Sequence, residues 1–303
     1  GYGTTVYDGF QPPWDAPAVQ IARDAGALIF GKTVSTELAM ASPGKTRNPH
    51  NPAHTPGGSS SGSCAAVAAG MVPLAFGTQT SGSLIRPASF CGVTALKLSF
   101  GAINTVGIKV LCHSLDTLGI LARSIGDAAT CAASLSGRPE LTRLTPPQRP
   151  RLGVLLGSRL DKAEPAAVET VHRLAALAAA SGADVTVLSA PAWFDGIFDL
   201  HAAVMGWEVT QSLAFEIATH WQGLTPVTRA MLLDQGRTTE PEYRAALGEL
   251  PGIRLLMDAL LSRFDAVLTL AAPGEAPEGT GTGDPIYNRL WSVLQVPLVC
   301  LPV

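Results

Sequence analysis

Residues Thr55–Ser99 read TPGGSSSGSCAAVAAGMVPLAFGTQTSGSLIRPASFCGVTALKLS, and the rest of the chain is best understood outward from them. Gly57 to Ser63 is a turn in which glycines permit unusual backbone angles and serines can cap the helix that follows. Cys64 to Ala69 holds only small residues, so that helix can approach its neighbours closely, and Gly70 ends it. Met71 to Phe76 is an apolar run that predicts a short buried strand. A second hydroxyl-rich turn, Thr78 to Ser83, follows, then a loop over Leu84–Ser89 and a strand over Val93–Leu98. Such a turn can aim successive backbone N–H groups at one point beside a serine hydroxyl. That supplies the nucleophile and the oxyanion hole that acyl transfer needs. One Ser/Gly turn alone is most often a capped turn without chemistry; two around a single helix and strand carry more weight.

The order GGSS-S-GS, small-residue helix, PLAFGTQTSGS and RPASFCGVTALKLS resembles the amidase signature enzymes. Ala27–Met40 and Ser114–Gly119 are similar to the family's segments before and after that signature, and Asn288–Val303 carries some likeness. Little family signal lies between about Ser136 and Gly283, where the resemblance puts a variable, substrate-side region. The resemblance implies an α/β fold, a central mixed β-sheet flanked by helices on both faces, with residues 1–303 as a single amidase domain. It implies hydrolysis of a carboxamide to acid and ammonia or amine. Ser83 would be the nucleophile and Ser59, after a cis peptide bond, the middle of a Ser, cis-Ser, Lys triad. The N–H groups of Thr80, Ser81, Gly82 and Ser83 would form the oxyanion hole, with no metal or organic cofactor. Three positions depart from the family pattern. Gln79 stands where Asp is common, and Ser81 and Ser61 each replace a glycine, which at Ser81 implies strain in the turn.

The family's triad lysine comes from well upstream of the first Gly/Ser turn. Here the 58 residues before Ser59 contain only Lys32 and Lys45, and neither matches that motif. The resemblance therefore implies the central portion of a longer chain, truncated at both ends. Two further readings stay open: the amidase-type subunit of a tRNA-dependent amidotransferase, and an inactive truncated member acting as a binding protein.

A chain of 303 residues with 47% hydrophobic and 15% charged residues is globular rather than disordered. Its net charge of −3 and lack of a long basic run argue against direct nucleic-acid contact. The expected partner is a small-molecule amide, with monomer and homo-oligomer both open. Five cysteines without CxxC spacing suggest neither a zinc site nor a disulfide framework, and point to reduced core thiols in a cytoplasmic protein. No signal peptide is visible at GYGTTVYDGF, and no apolar run is long enough to span a bilayer.

GALIFGKT (Gly26–Thr33) matches the P-loop pattern by letter, but Ala27–Phe30 reads as a strand and a helix over Ala16–Ala25 precedes it, the reverse of P-loop context. His50 and His54 lie in the Pro/Asn/Gly-rich loop Ser42–Pro56 and read as solvent-exposed. Lys97, near the end of a strand, reads as structural or snorkelling. Gly58-Ser59-Ser60-Ser61-Gly62 also fits a G-x-S-x-G elbow with Ser60 attacking, yet it follows a loop, and His113, His172, His201 and His220 lack a suitable acid before them.

Downstream, a helix over Ser124–Leu135 precedes a polar connection over Gly137–Pro150. Strand Leu152–Leu156, helix Pro165–Ser181 and strand Asp184–Leu188 form a parallel unit. Residues Trp193–Trp221 and Thr225–Phe264 read as helical, with Trp207, Phe215 and Trp221 in the core and Glu208, Glu216, Glu242 and Glu249 on solvated faces. A strand over Ala266–Leu270, a loop, a helix over Pro285–Leu294 and a strand from Leu298 complete the chain.

Overall fold

The computed structural model describes residues 1–143, 145 and 147–303; Leu144 and Pro146, within the expected polar connection, lie outside the described residues. Pro at the first helical position starts α1 (Pro17–Asp24). The signature contributes α2 (Ser61–Ala68), β1 (Leu74–Gln79), α3 (Ile85–Phe90) and β2 (Thr94–Lys97). β3 (Thr117–Ala122) follows, and then α4 (Ile125–Ser136). The Ser124 hydroxyl caps α4 by accepting the Asp127 N–H at 3.1 Å, and Gly137 closes it in the left-handed region. Next come β4 (Arg151–Val154), α5 (Pro165–Ala180), β5 (Asp184–Val187), α6 (Gly196–Ser212), α7 (Ala214–Thr219), α8 (Pro226–Gln235), α9 (Glu240–Leu261), β6 (Ala266–Leu268), α10 (Ile286–Val293) and β7 (Leu298–Cys300).

The expected α/β architecture is present, its strands forming two hydrogen-bonded groups. One is antiparallel in the order β1-β3-β2-β7, and the other is parallel in the order β5-β4-β6. All six residues of β3 are buried, and they alternate between two helical layers. Leu118, Ile120 and Ala122 meet Ala18 and Ala22 of α1 and Ala128 and Ala132 of α4. Leu121 faces the opposite way, onto Cys64 and Val67 of α2 and Ile85 and Ala88 of α3. A further cluster joins α6, α9 and α10 through Val204, Leu250, Met257 and Trp291. Among the described residues no helix is long and apolar enough to cross a membrane.

Several expectations need correction. Among the described residues Ala27–Phe30 pairs with no strand, and Leu28 is 97% exposed. β1 begins at Leu74 rather than Met71, because Pro73 has no N–H to offer a ladder. Leu84–Ser89 is not a loop but mostly the helix α3. β3 has no counterpart among the expected strands, although LGILA within it carries no polar side chain. The five cysteines carry free thiols.

Candidate active site

The two Gly/Ser turns meet. The Gly58–Ser59 peptide bond is cis, as expected. The Ser59 carbonyl accepts the Thr36 N–H at 3.2 Å, and the next residue's N–H, on Ser60, donates to the Ser83 carbonyl at 3.2 Å. Arg86, buried in α3, donates from Nη2 to the Gly58 carbonyl at 2.6 Å. Burial pulls its guanidinium down to about 10, and its Nε and Nη1 find no partner among the described residues. Gly57 needs its positive φ of 75° to enter this arrangement, and a methyl there would lie 2.8 Å from Pro87 Cα.

Ser60 is spoken for. Its Oγ accepts the Thr78 N–H at 3.2 Å and lies 3.4 Å from the Thr78 carbonyl, pinning the start of α2 to β1. It therefore neither caps α2 nor stands free as an elbow nucleophile. Among the described residues no protein hydrogen bond engages the hydroxyl of Ser59, which is buried, or of Ser83, which is half-buried.

Thr80 to Ser83 belong to neither β1 nor α3. Among the described residues none of their four N–H groups donates to a protein acceptor, while the turn itself is held by other atoms. The Thr80 hydroxyl donates to Asp116 Oδ1 at 2.6 Å, and Asp116 Oδ2 accepts the N–H groups of Leu111 and Cys112 at 2.7 and 3.0 Å. Burial pushes the Asp116 carboxyl up, against the opposing effect of the Thr80 hydroxyl and these N–H groups. The Ser292 hydroxyl of α10 donates to the Ser81 carbonyl at 2.9 Å, and the Gly82 carbonyl accepts the Arg86 N–H. Gly82 is closely packed: a methyl there would sit 3.0 Å from Pro285 Cβ and 3.1 Å from Asn288 Cβ, and those side chains would have to shift. Ser81 is not in the left-handed region, so the strain expected there is absent.

Gln79, fully buried, replaces an acid without losing its use. Its Oε1 accepts the N–H groups of Leu84 and Ile85 at 3.1 and 3.0 Å, and its Nε2 donates to Ser292 Oγ at 3.1 Å. Sequence reasoning missed His201 of α6, whose Nε2 lies 3.1 Å from the Ser81 hydroxyl. It also misplaced Glu208 and Glu216. Both are fully buried, Glu208 receiving Ser114 N–H at 2.9 Å and Tyr243 Oη at 2.9 Å, and Glu216 pairing with Lys109 at 2.5 Å. Glu242 and Glu249 are exposed as expected, whereas Phe215 is 55% exposed rather than in the core.

Lys97 does not snorkel: it is buried, and its Nζ donates to the carbonyls of Val296 and Leu98. Lys32 is exposed, its Nζ lying 5.6 Å from the Tyr2 ring centroid, and Gly26–Thr33 neither follows a strand nor leads into an α-helix. His50 is exposed, but His54 is half-buried with Nδ1 2.5 Å from the Ala276 carbonyl. Among the described residues no three side chains cluster as a metal site would require.

Residues 1–302 match the Amidase family. A glutamyl-tRNA(Gln) amidotransferase subunit from Acidothermus cellulolyticus is 30% identical over 98% of this chain and 68% of its own length. A crystal structure of an amidase superposes with a TM-score of 0.88 at 31% identity, covering 99% of this chain and 73% of that one. The structure of 6-aminohexanoate cyclic dimer hydrolase does so with a TM-score of 0.81 at 25% identity, covering 97% and 72%.

Proposed function

The chain belongs to the amidase family, an amide hydrolase family, and from that premise we propose that it cleaves a carboxamide through an acyl-enzyme on Ser83. The observation that carries this reading is the run of four unengaged N–H groups from Thr80 to Ser83, beside a serine hydroxyl that makes no other hydrogen bond among the described residues. Ser83 Oγ attacks the carbonyl carbon and a C–O bond forms. The negative charge that develops on the carbonyl oxygen is stabilised by those N–H groups. The Ser83 proton passes through the Ser59 hydroxyl to the leaving nitrogen as the C–N bond breaks, releasing ammonia or an amine. Water then cleaves the ester, giving the acid and restoring Ser83. Ser59 needs a base behind it. Lys97 is not assigned that role, because its Nζ is committed to the carbonyls of Val296 and Leu98.

A second reading follows from the relative's description as an amidotransferase component: the amide would be glutamine, and hydrolysis would depend on partner subunits. Ammonia release from simple amides by the isolated protein favours the first reading, and glutamine turnover only with partners present favours the second.

The test is Ser83→Ala, which should lower amide hydrolysis by about a thousandfold or more, as loss of a covalent nucleophile does. Labelling with diisopropyl fluorophosphate and peptide mapping should place the adduct on Ser83 and not on Ser60. Near wild-type activity in the variant, or an adduct on Ser60, would sink the assignment.

A further inference from the structure

α6 lies far along the chain from the signature, yet it reaches directly into the turn after β1. His201 Nε2 is 3.1 Å from Ser81 Oγ, and Met205 Sδ, one helical turn on, is 3.4 Å from the same oxygen. The imidazole is 2% exposed, and burial together with the nearby Arg289 charge holds it down to about 3, so it is neutral in ordinary conditions. From the other side, Ser292 Oγ holds the Ser81 carbonyl and is itself held by Gln79 Nε2. Ser81 is thus gripped at its hydroxyl by α6 and at its carbonyl by α10.

We propose that His201 is a positioning residue for acyl transfer: through the Ser81 hydroxyl it fixes the orientation of the Thr80–Ser83 peptides, so that their N–H groups converge on the developing oxyanion. The inference rests on the function proposed above for Ser83. Its physical basis is that donors to an oxyanion work by being oriented before the reaction. Among the described residues the four N–H groups make no protein hydrogen bond, the Gly82 and Ser83 carbonyls are held by the N–H groups of Arg86 and Ser60, and Ser81 between β1 and those bonds is held through its side chain and carbonyl. Gly82, next in the chain, adds no side-chain anchor. A glycine at position 81, which the family resemblance makes common, would offer α6 no hydroxyl to hold. The Ser81–His201 pair therefore joins the region outside the signature to the reacting centre.

The measurement is the rate at which diisopropyl fluorophosphate labels Ser83 in the intact protein, since its phosphoryl oxygen needs the same donors, with kcat and KM on a simple aliphatic amide alongside. His201→Leu should slow labelling by about tenfold or more and lower kcat with KM little changed, as misorientation of a reacting group does. His201→Gln, whose amide can either donate to or accept from the Ser81 hydroxyl, should recover most of the rate. In a Ser81→Gly background, His201→Leu should have little further effect. Wild-type labelling in folded His201→Leu overturns the proposal, as does an equal loss with and without the Ser81→Gly change, which would mark His201 as packing alone. If His201→Leu fails to fold, Ser81→Ala carries the test, slow labelling being expected and a wild-type rate overturning it. A wild-type protein that takes no label on Ser83 defeats the proposed function, and this inference with it.

Discussion

Lys97 on β2, a strand paired on both sides, is 1% exposed, its side chain covered on the face of the sheet it occupies. Its Nζ donates to the Val296 carbonyl at 2.6 Å and the Leu98 carbonyl at 3.3 Å, and among the described residues no carboxylate accepts from it. Burial brings its pKa from 10.5 down to about 8. The unfolded chain therefore holds this proton between those values while the folded chain releases it, and stability rises with pH across that window. Below it both states are charged and the folded state bears the full burial penalty. Lys97→Met removes the titration, so wild-type stability minus variant stability should grow by up to about 3 kcal/mol between about pH 7 and about pH 10. Urea denaturation of both proteins at the two pH values checks it, and a difference that stays flat would show that Lys97 keeps an ordinary pKa. The snorkelling expectation failed because one sequence does not reveal that a strand is internal. The cis bond before Ser59 was legible because its neighbours carry a family pattern over contiguous residues. His201 was not, because its bond to Ser81 joins positions 120 residues apart, and nothing local distinguishes it from His172 or His220.

Helix α3 exists for a reason that lies outside it. Its six residues include Pro87 at the third position, which reads as a breaker; but a proline in the first helical turn removes an N–H that has no intrahelical acceptor anyway. The N–H groups of Leu84 and Ile85 are satisfied instead by the Gln79 side chain, at the end of β1. The cap reaches across the Thr80–Ser83 turn rather than sitting at the residue before the helix, so a loop was the natural reading of Leu84–Ser89. α4 was legible for the opposite reason, because Ser124 and Gly137 mark its ends locally. Ala27–Phe30 shows the converse failure: four apolar residues suggest a strand but do not supply its neighbour. Gln79→Leu should leave two buried N–H donors without acceptors and lower stability by about 3 kcal/mol, read by urea denaturation. It should also free Ser292 from one of its restraints. A loss well under about 1 kcal/mol would mean that α3 does not depend on this cap.

Across the molecule, the antiparallel and parallel sheets are bridged by α6, α9 and α10, and the bridge has polar pins as well as an apolar core. Glu208 on α6 accepts from Cys112 Sγ at 3.0 Å, from the Ser114 N–H at 2.9 Å and hydroxyl at 2.5 Å, and from Tyr243 Oη on α9 at 2.9 Å. It joins three stretches of chain, among them the segment that leads through Asp116 to the Thr80 turn. The general α/β architecture was legible from the signature and the β4-α5-β5 alternation, but this pin was not, since a glutamate in a helix is ordinarily solvated. A signal was present: GIFDLHAAVMGWEVTQS is apolar on every side, so its few polar residues have no common solvated face to occupy. Glu242, by contrast, sits in the first turn of α9 and closes a capping box with Thr239 in full solvent. The two glutamates look alike in the sequence and should differ sharply when replaced. Glu208→Ala removes the acceptor for four buried or half-buried donors at once and should lower stability by about 3 kcal/mol, because the Cys112 thiol left behind is buried and the Ser114 and Tyr243 groups are only partly open to water. Glu242→Ala should leave the urea midpoint nearly where it is, as its partners can turn to solvent. Equal shifts in the two midpoints would mean that Glu208 is no more than a solvated helix residue, and that the apolar cluster alone joins the two sheets.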